Sequence, residues 1–200
     1  MTPAPLPGPV PPIVIKVGGS LYDWAELGER LRAWLRCEVN GPALLVPGGG
    51  RSVNEVRELD QKHQLGEEKA HWLALRAMSV NAHLLLHLAP DAVLVKSLEV
   101  CASVWQRQRL AVLDAHAFAQ LDDGFEGSLP HAWAVTSDSV AARVARLLGA
   151  TKLVLLKSAD NPFNGDWSEA GRQGYVDAWF AYAVGENLTV EVVNLRRWQA

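Results

Sequence analysis

Two stretches, Ile13-Val-Ile-Lys16-Val-Gly18-Gly19-Ser20 and Ala43-Leu-Leu-Val46-Pro47-Gly48-Gly49-Gly50-Arg51-Ser52, follow one local plan: a short apolar run that stops on adjacent glycines. Apolar runs of this length bounded by glycine read as buried strands. Each is followed by an amphipathic stretch, and alternation of strand with crossover helix is the pattern of an α/β protein. In a parallel sheet both glycine turns fall at the carboxyl edge, where open α/β folds hold ligands. Glycine lets the backbone approach a phosphate closely, and successive N–H groups at a helix start form an anion site. Lys16 and Arg51 flank the two turns.

The rest of the chain extends this plan. Asp23 precedes Glu26 in a capping-box arrangement, with Trp24, Leu27, Leu31, Trp34 and Leu35 at helical spacing. Ser52 to Glu55 forms a second such box, opening a helix through about Lys62. The stretch from Glu67 to Leu88 is a long helix with a broad apolar face. Short strands are expected at Ala92–Val95, Leu110–Leu113, Trp133–Val135, Leu153–Leu156 and Thr189–Val193. Helices are expected at Ser139–Leu148 and around Val176–Val184, with a loop from Ala159 to Gly174. The turn-rich segment Asp122–Pro130 divides the chain into two lobes, about 13–121 and 131–200, of a single domain spanning 13–200.

Composition narrows the function. The 200 residues are 49% hydrophobic and 20% charged, enough to bury a sizeable core. A net charge of −3 provides no basic field for nucleic acid or anionic lipid, which leaves a small-molecule partner. Residues 1–12 hold six of the eleven prolines and lack the basic and apolar regions of a signal peptide, so they read as a mobile polyproline-like tail. No apolar run is long enough to span a membrane. Cys37 and Cys101 suit free thiols in a reducing compartment, the cytoplasm. His83 and His87, four residues apart, lack a third metal ligand and read as an exposed helical face, so no protein metal site is expected.

Neither glycine turn is a standard nucleotide fingerprint. No G-x-x-x-x-G-K-[ST] occurs, and Val53 stands where a dinucleotide motif has its third glycine. Three segments, IVIKVGGSL from Ile13, LLVPGGGRSVNEVR from Leu44 and AVTSDSVAARVARLLGATKLVLLKSAD from Ala134, instead resemble the amino acid kinase superfamily, and they occur in that family's order. The resemblance implies a three-layer αβα sandwich with a mostly parallel sheet, ATP bound near the second half and Mg2+ carried on its phosphates. It further implies in-line phosphoryl transfer to a small acceptor held by the first half, in a homo-oligomer. The segment His71-Trp-Leu-Ala-Leu-Arg-Ala-Met78 and the short second half look most like a branch linked to methanofuran-type cofactor synthesis, which converts an aminomethylfuran-methyl phosphate to its diphosphate. The alternatives are an acyl-phosphate-forming amino acid kinase and a non-catalytic nucleotide-binding protein.

Carried onto this chain, the resemblance makes Lys16, Asp138 and Lys157 catalytic, with Asp138 orienting the lysines. Lys157 would replace a lysine that relatives carry in a later segment absent here, and Lys152 is the alternative. Gly18, Gly19, Ser20, Gly48, Gly49, Ser137 and Asp160 would hold ATP and its phosphates. Gly50, Arg51, Asn54, His71 and Asn81 would face the acceptor, Arg51 through a guanidinium that grips a phosphate or carboxylate in bidentate fashion.

Overall fold

Strict alternation along the central strands sends successive side chains to opposite faces of one sheet. A computed structural model describes residues 10–200; most of the proline-rich tail lies outside the described residues. Six strands, β1 (Ile13–Val17), β2 (Ala43–Pro47), β3 (Ala92–Val95), β4 (Leu110–Leu113), β5 (Lys152–Lys157) and β6 (Thr189–Asn194), pair in the order β3-β4-β2-β1-β5-β6. Every pairing is parallel. The sheet is therefore wholly parallel, and it runs unbroken through both halves of the chain.

On one face Val14, Leu44, Val46, Leu153 and Leu155 pack beneath helices α2 (Gly50–His63), α6 (Ser137–Leu147) and α8 (Phe180–Val184), together with the first half of α3 (Glu67–Leu88). On the other, Ile15, Val17, Leu45, Val154 and Leu156 pack against α1 (Leu27–Glu38) and the second half of α3. These two cores are the layers of an αβα sandwich. Among the described residues no helix is long and apolar enough to cross a membrane.

The structure corrects several expected elements. Trp133–Val135 is a turn, closed by Val135 N–H donating to Ala132 O at 3.0 Å. Its apolar residues face a cleft instead of a neighbouring strand. The expected loop 159–174 contains α7 (Trp167–Arg172), capped by Asp166, whose Oδ1 accepts from Glu169 N at 2.9 Å. Helix α8 is shorter than its sequence pattern, and α6 begins at Ser137. Two helices went unforeseen, α4 (Cys101–Gln106) and α5 (Ala115–Asp122), the latter capped by Asp114. Neither capping box forms. Helix α1 starts without a side-chain cap, and α2 opens at Gly50, with the Ser52 hydroxyl turned to Asn81 Oδ1 at 3.4 Å. The Asp122–Pro130 turn is stitched to α6 by a buried fork in which Arg143 Nη2 and Nε meet the two oxygens of Asp122 at 2.8 and 3.0 Å.

Leu155 lies fully buried on central β5. Leu155→Ala is expected to lower stability by about 2–5 kcal/mol, seen as a reduced urea midpoint with an unchanged slope.

Candidate active site

Register and alternation together place two lysines side by side. Lys16 of β1 pairs with Leu155 of β5, so Lys157, two residues on, shares its face at the carboxyl end. Helix α6 begins over that same face and delivers Asp138 in its first turn. Lys16 Nζ lies 2.8 Å from Asp138 Oδ1, and Lys157 Nζ lies 3.4 Å from the same oxygen and 3.5 Å from Oδ2. The Lys16 and Asp138 side chains are only 6% and 8% exposed, so one carboxylate is shared by two ammonium groups almost out of water.

Burial pushes the Asp138 carboxyl upward, but Lys16 and then Lys157 outweigh it and hold it below the usual carboxylate value. For Lys157, burial and then the like charge of Lys16 pull the ammonium down to about 8, against the opposing pull of Asp138 and Asp177. Lys157 Nζ also donates to Tyr175 O and lies 4.7 Å from the centroid of the Tyr175 ring. The three formal charges sum to +1, aimed at the carboxyl edge of the sheet.

The glycine turns complete the cradle. A Cβ at Gly19 would lie 2.3 Å from Gly50 N, and one at Gly48 would lie 2.5 Å from Gly19 N, so the two turns nest backbone against backbone. Not every N–H there is free. Gly18 N–H donates to Leu156 O at 2.7 Å, and Gly48 N–H donates to the Tyr22 hydroxyl at 3.1 Å. The first bond within α2 runs from Val53 N to Gly49 O, and no side chain caps the helix. The N–H groups of Gly50, Arg51 and Ser52 are therefore left for an anion.

Between α2, α3 and the start of α6 lies a cleft of about 200 Å³. It brings together Lys16, Gly19, Gly49, Gly50, Asn54, His71, Ser137 and Asp138 from the expected set. Others lie elsewhere. Arg51 is 80% exposed outside the cleft, 4.0 Å from Asp23. The buried Asn81 amide donates to Gly48 O and Gly49 O, both at 2.7 Å, and so braces the second turn. Ser20 Oγ meets Ser158 Oγ at 2.8 Å, linking the turns after β1 and β5. Asp160 is engaged by Asn194 and Arg197, and Lys152 pairs with Glu191. His71, its pKa lowered by burial, contacts Ala132 O through Nδ1 at 3.2 Å and stacks on His131.

Two residues of the region escaped the sequence reading. Asp177 accepts from Thr136 N at 3.0 Å, Thr136 Oγ1 at 2.9 Å, Ser139 N at 2.9 Å and the Ser139 hydroxyl. It thus fixes the start of α6 from a distant loop, although burial and then the charge of Asp138 raise its pKa. Arg57 also lines the cleft. Gly50, Val53, Asn54 and Arg57 follow i, i+3, i+4, i+7 spacing, a signal that identifies this helix face from sequence.

Among the described residues no group of three His, Cys, Asp or Glu side chains is placed to hold a metal ion. Asp138 is already neutralised by two lysines. These donors fit a polyanion better than a bare cation.

Comparison with known proteins gives a consistent picture. The profile of the Amino acid kinase family matches residues 11–169. The [5-(aminomethyl)furan-3-yl]methyl phosphate kinase of Methanocaldococcus jannaschii is 26% identical over 156 residues, covering 76% of this chain and 68% of that protein. Among solved structures, the uridylate kinase of Archaeoglobus fulgidus superposes with a TM-score of 0.66 at 16% identity, over 92% of this chain and 90% of that one. The UMP kinase of Bacillus anthracis gives 0.64 at 11% identity, over 95% and 89%.

Removing the Asp138 charge withdraws the upward pull on Lys157. Asp138→Asn is therefore expected to lower the Lys157 pKa below about 8, measured by NMR titration of the lysine side chain; an unchanged or raised value would break the electrostatic account.

Proposed function

The chain belongs to the amino acid kinase family, and from that premise we propose that it transfers the γ-phosphoryl group of ATP to a small phosphate monoester, giving a diphosphate. An aminomethylfuran-methyl phosphate, the substrate in the name of the Methanocaldococcus relative, is the acceptor we assign. The observation that carries this reading is the Lys16–Asp138–Lys157 arrangement at the mouth of an uncapped helix N-terminus.

Phosphoryl transfer requires alignment and stabilisation of charge on the equatorial oxygens more than covalent help from the protein. An oxygen of the acceptor phosphate attacks the γ-phosphorus as the bond from that phosphorus to the β-bridging oxygen breaks. The products are the diphosphate and ADP, and the acceptor dianion has no proton to lose. Asp138 accordingly serves to aim Lys16 and Lys157, both of its oxygens being turned to ammonium groups. Lys16 and Lys157 meet the charge on the transferring group and on the β/γ bridge. The α2 N–H groups hold the acceptor phosphate, and ATP approaches from the side of Lys157 and Ser158. The nucleotide phosphates would hold Mg2+, which would supply charge neutralisation there.

Arg51, the group expected to hold a carboxylate in acyl-phosphate formation, lies outside the cleft beside Asp23.

Incubation with ATP and the furan monophosphate is expected to yield a diphosphate in the 31P spectrum, with an equal amount of ADP. Lys16→Ala and Lys157→Ala should each lower kcat by about 100-fold or more, the scale of losing one preorganised donor to the transition state. Full turnover in both variants would exclude the mechanism. Because Lys157 must be protonated and its pKa sits at about 8, kcat/KM for ATP should fall as pH rises through that value. Lys157→Arg should carry that limb to higher pH.

A further inference from the structure

Arg57 and Trp133 meet across the cleft from distant parts of the chain. The guanidinium carbon of Arg57 lies over the Trp133 ring, 4.8 Å from its centroid, a cation–π contact that restrains the side chain. The indole is itself held in place: Trp133 Nε1 donates to Asp60 Oδ2 at 2.7 Å, while Asp60 Oδ1 accepts from Gly66 N at 3.1 Å. Among the described residues no ion pair joins Arg57 to a carboxylate. Among the described residues its side chain makes one hydrogen bond, Nη1 donating to Asn54 Oδ1 at 3.3 Å. Helical side chains lean toward the helix N-terminus, so this contact brings the guanidinium back toward Gly50 and the free N–H groups.

A cation that is oriented by an aromatic face, without a carboxylate partner among the described residues and lining the same cleft as Lys16, is built to receive an anion. We infer that Arg57, held over the face of Trp133, is the clamp that grips the acceptor's own phosphate and selects a phosphate monoester over a neutral alcohol. The inference rests on the kinase reading above and adds a residue-level basis for acceptor choice. Trp133 acts as a positioning residue, and Asp60 positions Trp133 in turn. The wall next to the clamp is apolar, with Val53, Leu75 and Met78, and suits a small ring carried by that phosphate.

Two measurements test this. In steady-state kinetics with ATP and the furan monophosphate, Arg57→Ala should raise the acceptor KM by about tenfold or more, the scale of a lost charged hydrogen bond, while the KM for ATP stays within about twofold. Arg57→Lys keeps the charge without the planar fork and should recover only part of the loss. Trp133→Ala should raise acceptor KM with little change in kcat, and Trp133→Phe should do so less. In calorimetry without nucleotide, using inorganic phosphate as the probe, Arg57→Ala should weaken binding by a similar factor. Circular dichroism identifies any variant that has not folded, and Arg57→Lys then carries the comparison. An acceptor KM and a phosphate affinity both unchanged within twofold in Arg57→Ala overturn the clamp while leaving the kinase reading intact. Absence of turnover in the parent protein with any phosphate monoester overturns the kinase reading. Phosphate calorimetry then still decides the clamp, since loss in Arg57→Ala supports it and no loss refutes it.

Discussion

One carboxylate between two buried ammonium groups is the constraint on which the site depends. Isolated charges at this depth would be driven toward their neutral forms. Asp138 opposes the loss of charge that burial imposes on Lys157, and the two lysines in turn keep Asp138 ionised. The balance is deliberately incomplete, because two cations on one anion leave an excess that a phosphate chain can neutralise. Meeting this requirement demands adjacent strands in one register, a helix starting over a defined face, and a cap that holds that helix start in place. The adjacent strands β1 and β5, helix α6 and Asp177 supply these parts.

Those parts were unequally visible in the sequence. Lys16 and the glycine turns are local signals, since a strand stopping on glycine can be read within ten residues, and the alternating plan gave the layer architecture. Lys157 followed from a resemblance in which the usual later lysine is missing, and the strand geometry supplies it from the same face as Lys16. Tertiary relations were out of reach. Asp177 fixes residues 38 and 41 positions away, and nothing in its own surroundings marks it as a cap. Trp133 looked like part of a strand because it sits among apolar residues, but those residues line a cleft. Arg51 drew attention by following the glycines directly. A helix advances 100° per residue, so that position turns away from the cleft and Arg57 turns toward it.

The missed helices α4, α5 and α7 share a cause. Each is eight residues or fewer, too short for a clear hydrophobic period and dependent on tertiary packing for its stability. Each adds buried residues to a core already defined by the sheet and the longer helices, so the layer architecture is legible without them. The capping boxes failed for a related reason. At α2 the N-cap is Gly49, three residues before Ser52, on a glycine turn whose carbonyls are held by Asn81 from α3, and a long-range contact overrides a local preference.

That brace by Asn81 also separates two kinds of heritable change. The floor of the cleft is main chain, shaped by the nested turns and held from behind, so most side-chain substitutions leave its geometry alone. The walls are side chains on α2, α3 and the turn at Trp133, free to vary in size and charge. Lineages diverging from such an ancestor can exchange one small molecule for another by altering the walls, with the phosphate chemistry inherited unchanged in the peptide backbone.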